Sequence, residues 1–364
     1  MLGHKRVPSR EGGIEVVVEE LSVRMVVKGH EVVCYNRKGN NVAGTVFNTG
    51  KRKEYKGVKI KEVFTIDKRG LAAMTSSLAA CLRTGFGKYD VVHIHAEGPA
   101  FFSFIPKWLG KKVIVTVHGL DWQRAKWGGF ASWYIKKGEN NAVKYADEII
   151  VLSEGVKNYF KGTYGREVKF VPNGVNRAGI KDVQEIKKWG LEKDSYVLYL
   201  GRIVPEKGLK YLLEAWESIK TDKKLVVAGG ISDTGDFGRE VRELGGEDVI
   251  FTGFIQGREL EELYSNAYIY CLPSDLEGMP LSLLEAMSYG NCCLTSNISE
   301  CAEVVEDKAV TFKKSDVEDL NSKLVYLLEN PGEVAKYKRE AADFICGKYD
   351  WDDVVEKTME LYRR

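Results

Sequence analysis

The chain has 364 residues, of which 44% are hydrophobic and 29% charged, and its formal net charge is +2. That length suits two domains of ordinary size. The composition excludes a disordered or fibrous chain, and so small a net charge supplies no general attraction for nucleic acid. Blocks of like charge, low-complexity tracts and internal repeats are absent. No apolar run is long enough to cross a bilayer. The first residues, Met1-Leu2-Gly3-His4-Lys5-Arg6, lack the apolar core of a secretion signal, so the cytoplasm is the expected compartment. The seven cysteines form no Cys-x-x-Cys pair and read as buried thiols.

In chain order, Gly12-Gly13 precedes a helix expected over residues 14–27. Apolar, β-branched runs then predict strands over 31–35, 58–64, 90–94, 113–117, 148–152 and 168–171. Helical periodicity between them covers stretches such as 71–84 and 131–145. The pattern restarts with strands over 196–200, 225–228, 249–252, 269–272 and 292–295. Helices over 209–219, 239–244, 259–265 and 281–289 separate these strands. Such alternation implies α/β architecture, with parallel sheets covered on both faces. The break falls near Pro172-Asn173-Gly174-Val175, where turn residues lead into a charged stretch over 176–193. Two doubly wound, Rossmann-like domains are expected, over residues 1–172 and 177–346, facing a cleft. Their ligands belong beyond the carboxyl ends of the strands. Only Met1-Leu2-Gly3 precedes the loop over 4–11, so the first strand is either a stub or begins upstream.

Three motifs carry chemistry. Gly12-Gly13 opens a helix, and a helix N-terminus attracts phosphate, although a glycine pair alone also reads as a turn. Gly201-Arg202-Ile203-Val204-Pro205-Glu206-Lys207-Gly208 follows a strand. There Arg202 can fork two phosphate oxygens and Lys207 adds a point charge; the plainer alternative is two solvated cations. Pro273-Ser274-Asp275-Leu276-Glu277-Gly278-Met279-Pro280-Leu281 follows another strand and runs into a helix bearing Glu285. Taken singly, Glu277 also reads as a loop acid, and Glu285 as a capping-box partner of Ser282. Pro280 argues against the cap, because it marks a helix start ahead of Ser282. His93 and His95 alternate on one strand, but no third ligand is placed near them, so no metal site is expected.

Together these residues resemble the retaining glycosyltransferases of family 4, which have the GT-B fold. Glu277 and Glu285 match that family's Glu-x7-Glu motif, and Arg202 and Lys207 match its Gly-Arg-x4-Lys loop. Gly13 and the segment Pro172-Asn173-Gly174-Val175 match its first-strand loop and its interdomain segment. The resemblance implies that a nucleotide-sugar donor is held as substrate, with Arg202 and Lys207 on its diphosphate. It puts Gly12 and Gly13 beside that diphosphate, Glu285 on the ribose hydroxyls and Ile255 near the base. Glu277 would contact the donor sugar with the backbone of Gly278, Met279, Pro280 and Leu281. His118 matches a family histidine beside the reacting sugar, although alone it reads as a polar strand-end residue. A C-terminal helix over about 347–364 is expected to pack back on the first domain.

A narrower likeness lies in Gly3-His4-Lys5-Arg6-Val7-Pro8-Ser9-Arg10-Glu11-Gly12-Gly13 and Val117-His118-Gly119-Leu120-Asp121-Trp122. These resemble a bacterial subgroup that includes rhamnosyltransferases of surface polysaccharide assembly. The resemblance implies transfer of a hexosyl or deoxyhexosyl group to a saccharide or lipid-linked saccharide, with anomeric retention and no divalent metal. The stretch 121–145 sets Trp122, Trp127, Phe130, Trp133 and Tyr134 beside Arg124, Lys126, Lys136, Lys137 and Lys144. That mixture suits peripheral docking on the inner membrane surface, or equally core aromatics under a solvated face. A nucleotide-sugar epimerase and a non-catalytic nucleotide-sugar binder are the competing classes. The joint presence of Arg-x4-Lys and Glu-x7-Glu fits transfer better than either.

Overall fold

A computed structural model of the protein describes residues 1–39, 52–68, 70–123, 128–230 and 235–363. The chain divides into two compact units: Met1–Asn173 with Trp351–Arg364, and Gly174–Asp350.

The first unit contains strands β1 (Val33–Arg37), β2 (Glu54–Tyr55), β3 (Val58–Val63), β4 (Val91–His95), β5 (Lys112–Val117), β6 (Glu148–Val151) and β7 (Lys169–Phe170). They pair in the orders β1-β3-β2 and β4-β5-β6-β7, parallel throughout except for the short β2 edge. The stub at Met1-Leu2 joins the two sets. Met1 N donates to Val33 O at 2.9 Å and Tyr35 N to Met1 O at 3.0 Å. On its other side Leu2 N donates to His93 O at 3.0 Å and His95 N to Leu2 O at 2.9 Å. Met1 and Leu2 thus occupy a central strand position, because both of their edges are hydrogen-bonded and Leu2 is fully buried in the core. Gly3 ends the stub at φ 102°, where a Cβ would come within 2.1 Å of His95 O, so only glycine lets the chain turn there.

Helices α1 (Gly13–Val27), α2 (Leu71–Gly85), α3 (Glu97–Ala100), α4 (Phe104–Trp108), α5 (Gly129–Tyr145) and α6 (Glu154–Tyr164) link these strands. α1 buries Val17, Val18, Leu21 and Met25, which recur at helical spacing on one face. At α6, Ser153 Oγ accepts from Val156 N at 3.2 Å, and Gly165 ends the helix in the left-handed region.

The second unit holds β8 (Tyr196–Leu200), β9 (Lys224–Ala228), β10 (Val249–Gly253), β11 (Ile269–Leu272), β12 (Cys292–Ser296) and β13 (Val310–Phe312). All pairings are parallel, in the order β10-β9-β8-β11-β12-β13. Helices α7 (Leu209–Glu217), α8 (Gly235–Leu244), α9 (Gly257–Asn266), α10 (Leu281–Ser288), α11 (Ser299–Val305), α12 (Val317–Glu329) and α13 (Pro331–Lys348) complete it. The four central strands, β9, β8, β11 and β12, are buried along nearly their whole length, as a sheet covered on both faces requires, while the edge strands β10 and β13 are mostly half-buried.

The break near the C-terminus falls later than residue 346. α13 runs on to Lys348 because Ile345 and Tyr349 are buried in the second unit, where Tyr349 Oη donates to Glu303 O at 3.2 Å. Helix α14 (Trp351–Arg363) belongs to the first unit and packs on α1. Arg24 pairs with Asp352 at 3.2 Å and lies over the Trp351 ring, while Lys28 meets Glu356 at 2.5 Å. All seven cysteines are unpaired, six of them buried. Among the described residues no helix is long and apolar enough to cross a membrane.

Candidate active site

In the second unit, numbering strands from β8 gives the order 3-2-1-4-5-6. The strand order reverses between β8 and β11, and a doubly wound sheet opens its ligand crevice at the carboxyl ends flanking such a reversal. The two motifs leave the sheet at those two strand ends. Gly201–Gly208 follows β8 and Pro273–Pro280 follows β11, so residues some seventy positions apart become neighbours. Lys207 Nζ donates to Glu277 Oε1 at 2.6 Å, with side chains only 15% and 8% exposed. Ser274 Oγ donates to the same oxygen at 2.7 Å. The ion pair spanning the reversal was not foreseen: Lys207 and Glu277 had been assigned to different parts of a ligand.

Backbone contacts clamp the two loops together. Asp275 N donates to Glu206 O at 2.9 Å, while within the first loop's own segment Tyr199 Oη of β8 donates to Arg202 O at 3.1 Å. Gly208 sits at φ 66°, where a Cβ would come within 1.9 Å of Pro273 O. Its lack of a side chain is what allows the approach. Asp275 accepts from Tyr211 Oη at 2.9 Å and Ser315 Oγ at 2.7 Å, tying the Glu277 loop to α7 and to the turn before α12. Glu206 is buried, and neither carboxylate oxygen has a hydrogen-bond partner. It was passed over, although it stands beside Lys207 in the same motif.

Helix α10 starts at Leu281 with Pro280 at its N-cap, which removes the capping-box alternative for Glu285. Instead Tyr264 Oη of α9 donates to Glu285 Oε2 at 3.2 Å. Tyr264 is buried and stacked on Tyr289, and burial followed by the neighbouring Glu285 carboxylate pushes its hydroxyl pKa well up. Gly278, Met279 and Pro280 are buried, and Ile255 lies two residues beyond β10 on the same sheet edge. Arg202, Lys207, Ile255, Gly278, Met279, Pro280, Leu281, Glu277 and Glu285 thus all belong to the carboxyl edge of this one sheet.

Gly12, Gly13 and His118 belong to the first unit. Gly12 is the extended N-cap of α1 and Gly13 its first residue. The same turn carries Glu15, whose Oε1 accepts from Lys5 N at 2.8 Å, so a carboxylate already shares this helix end. His118 follows β5, and its Nε2 lies 3.1 Å from His95 Nδ1. His95 stacks on His93 at 4.2 Å between ring centroids. His93 in turn meets Tyr362 Oη of α14 at 2.6 Å and Thr116 Oγ1 at 2.7 Å. Burial, reinforced by neighbouring cationic groups, holds His93 and His95 well below the usual imidazole range, so both are neutral. Among the described residues no group of three or more His, Cys, Asp or Glu is placed to hold a metal ion.

A second buried cluster carried no signal in the sequence. Glu97 and Glu139 are both fully buried. Burial, then the hydrogen bond to Glu139, raises the Glu97 pKa well above the carboxylate range. Burial opposes ionisation of Glu139 too. Hydrogen bonds from Glu97, Lys136, Tyr164 and Tyr159 outweigh it, and the net shift is downward. Glu97 is therefore the protonated acid of the two and Glu139 the ionised one. Glu97 Oε2 also accepts from Asp121 N at 2.8 Å, and Glu139 Oε2 from Trp122 Nε1 at 3.0 Å, which anchors the loop after His118. Trp122 and Lys136 thus belong to this network, with the ammonium 4.3 Å from the indole centroid. Arg124, Lys126 and Trp127 lie outside the described residues.

Comparison with known proteins agrees with this architecture. The family model described as Glycosyltransferase Family 4 matches residues 11–178, and that described as Glycosyl transferases group 1 matches residues 182–344. An uncharacterized glycosyltransferase of Methanocaldococcus jannaschii is 23% identical, over 98% of this chain and 95% of its own length. Sucrose-phosphate synthase from Thermosynechococcus elongatus superposes with a TM-score of 0.83 at 20% identity, covering 97% of this chain and 93% of that one. Anabaena HepE, solved in complex with UDP and glucose, superposes with a TM-score of 0.81 at 14% identity, covering 99% and 97%. The chain is a glycosyltransferase of the two-domain GT-B fold. It joins a family 4 domain to a group 1 domain.

Proposed function

We propose that the enzyme moves a hexosyl or deoxyhexosyl group, rhamnosyl in the narrower reading, from a nucleoside-diphosphate sugar to a saccharide or lipid-linked saccharide hydroxyl with retention. One observation carries the donor reading: the Lys207–Glu277 ion pair joins the Arg202 loop to the Glu277 loop where the β8–β11 reversal opens the second sheet. HepE, of the same fold, binds UDP and glucose. Departure of a nucleoside diphosphate builds negative charge on the leaving oxygens. Fixed cations lower that barrier because they need no reorganisation as the charge grows. Glu277, itself bonded by Ser274, engages the Lys207 ammonium, which gives that cation its preorganisation. Arg202 supplies the forked donor. Glu285, oriented by Tyr264, takes the ribose hydroxyls, and the leaving phosphate takes the acceptor proton. The two cations stand in for a divalent metal.

Thermal-shift screening with UDP, GDP, dTDP and ADP tests this. One diphosphate should stabilise the second unit in a concentration-dependent way. Arg202→Ala and Lys207→Ala should abolish that shift and most transfer while the chain stays folded. No stabilisation by any of the four, or near-normal transfer by both variants, refutes it.

A membrane surface fits the outer face of α5. Phe130 and Trp133 are 71% and 56% exposed with rings stacked at 5.8 Å, and the exposed Lys137 and Lys144 continue the same stripe. Aromatic rings flanked by cations suit an anionic lipid interface. Flotation with anionic vesicles should carry the protein up, and Trp133→Ser should weaken it; no flotation of the wild type overturns the docking.

A further inference from the structure

We infer that His95 is a positioning residue that fixes the tautomer of His118, so that His118 serves as a hydrogen-bond donor and not as a proton acceptor. The inference rests on the proposed placement of His118 beside the reacting sugar. The hydrogen bond between the two rings stands apart from that placement.

A neutral imidazole has one N–H and one lone pair, and the partner of one nitrogen decides the state of the other. His95 is fully buried on β4. Its Nδ1 faces His118 Nε2 at 3.1 Å, and its Nε2 is buried with no hydrogen-bond partner. Two arrangements satisfy the 3.1 Å contact. If His118 donated from Nε2, His95 would carry its hydrogen on Nε2 and bury an N–H with no acceptor. If His95 donates from Nδ1, only a lone pair is left unmet at Nε2. Orphaned buried N–H groups are rarer in folded proteins than under-satisfied acceptors, so the second arrangement wins. Protonating His95 to escape the choice would bury a charge.

The groups around His95 hold it there. His93 stacks on its ring, and both nitrogens of His93 are engaged, by Tyr362 and Thr116, so His93 has no acceptor to offer His95. His4 is bound to Asn36 Oδ1 at 3.0 Å. With Nδ1–H of His95 donating, His118 Nε2 is occupied and His118 carries its own hydrogen on Nδ1. Neither nitrogen of His118 then has a spare lone pair. This ring can polarise or orient a substrate oxygen through Nδ1–H, and it leaves proton uptake to the departing phosphate. Tyr362 contributes at one remove, so α14 supports His118 through His93 and His95.

Long-range 1H–15N correlation spectra of histidine-labelled protein decide the point, with His118 assigned by its loss in His118→Gln. In the wild type His118 should appear as the neutral Nδ1–H tautomer. In His95→Phe, which keeps the stack on His93 but has no donor, the Nε2–H form of His118 should appear. In His95→Asn, whose amide can donate from nearly the same place, the wild-type tautomer should return. Transfer should follow. kcat should fall roughly ten- to a hundredfold in His95→Phe, by analogy with the loss of partners that orient metal-binding imidazoles, and recover in His95→Asn. Stabilisation by the diphosphates tested above should be the same in all three proteins. An Nε2–H His118 in the wild type overturns the inference whether or not the variants fold. So does an unchanged tautomer and kcat in His95→Phe. If no diphosphate stabilises the wild type, the donor reading fails while the spectra still decide the role of His95.

Discussion

The Lys207–Glu277 pair makes the sharpest energetic prediction. Both side chains are nearly out of water, at 15% and 8% exposure, so this is not a surface pair of negligible worth. Lys207→Met leaves the Glu277 carboxylate buried with only Ser274 to answer it. Glu277→Gln leaves the ammonium facing an amide. Breaking a fully buried pair costs about 3–5 kcal/mol. Residual exposure of Lys207 and the surviving Ser274 hydrogen bond bring each single variant to about 2–3 kcal/mol on the same scale. For a domain of this size that is a fall of about 4–12 °C in the second unit's transition, at about 2–4 °C per kcal/mol. The double variant holds no unpaired charge, so it should lose about 2 kcal/mol less than the sum of the singles, within the usual coupling of contacting residues. Scanning calorimetry on the four proteins measures this. Ligand separates stability from function: the stabilising diphosphate should no longer shift Lys207→Met but should still shift Glu277→Gln, whose cation remains. Additive singles, within about 0.5 kcal/mol, would refute the pairing.

Two further outcomes follow from the same structure. The Glu97 carboxyl keeps a proton that the unfolded chain has lost above pH about 4.3, so its raised pKa makes stability fall as pH climbs from there. Glu97→Gln, which still accepts from Asp121 N, should match the wild type in Tm near pH 4 and exceed it at pH 8; parallel Tm–pH curves would contradict a protonated Glu97. Gly208→Ala adds about 1–2 kcal/mol of left-handed strain and drives a methyl onto Pro273 O. It should therefore lower the second unit's Tm and weaken diphosphate binding together, and a variant indistinguishable from the wild type in both would show that the loops do not need this approach.

Much of the site was legible because its residues follow strands. A loop at the carboxyl end of a parallel strand is where such folds bind ligands, and Arg202, Lys207, Glu277 and Glu285 all sit just beyond apolar runs that the sequence displays. Local periodicity and turn residues also placed every predicted strand within two residues of its observed bounds, while the short edge strands β2 and β13 had no prediction. What could not be read locally was partnership. Strand order is set by long-range pairing, so neither the reversal between β8 and β11 nor the ion pair across it has a sequence signal. Met1-Leu2 shows no periodicity of its own, and only the bonds to β1 and β4 reveal its strand position. His93 and His95 showed their alternation, but their link to His118 depends on β4 lying beside β5. Glu97 and Glu139, forty-two positions apart, look like ordinary helix acids until α3 packs on α5 and buries both. Sequence by itself determined the α/β class, the two-part organisation and the loops that carry charge, because those follow from local propensity and burial pattern. Which charges face each other, which carboxyl keeps its proton and which imidazole sets its neighbour's tautomer were decided only by tertiary structure. Those properties depend on through-space distance and desolvation, and chain position alone encodes neither.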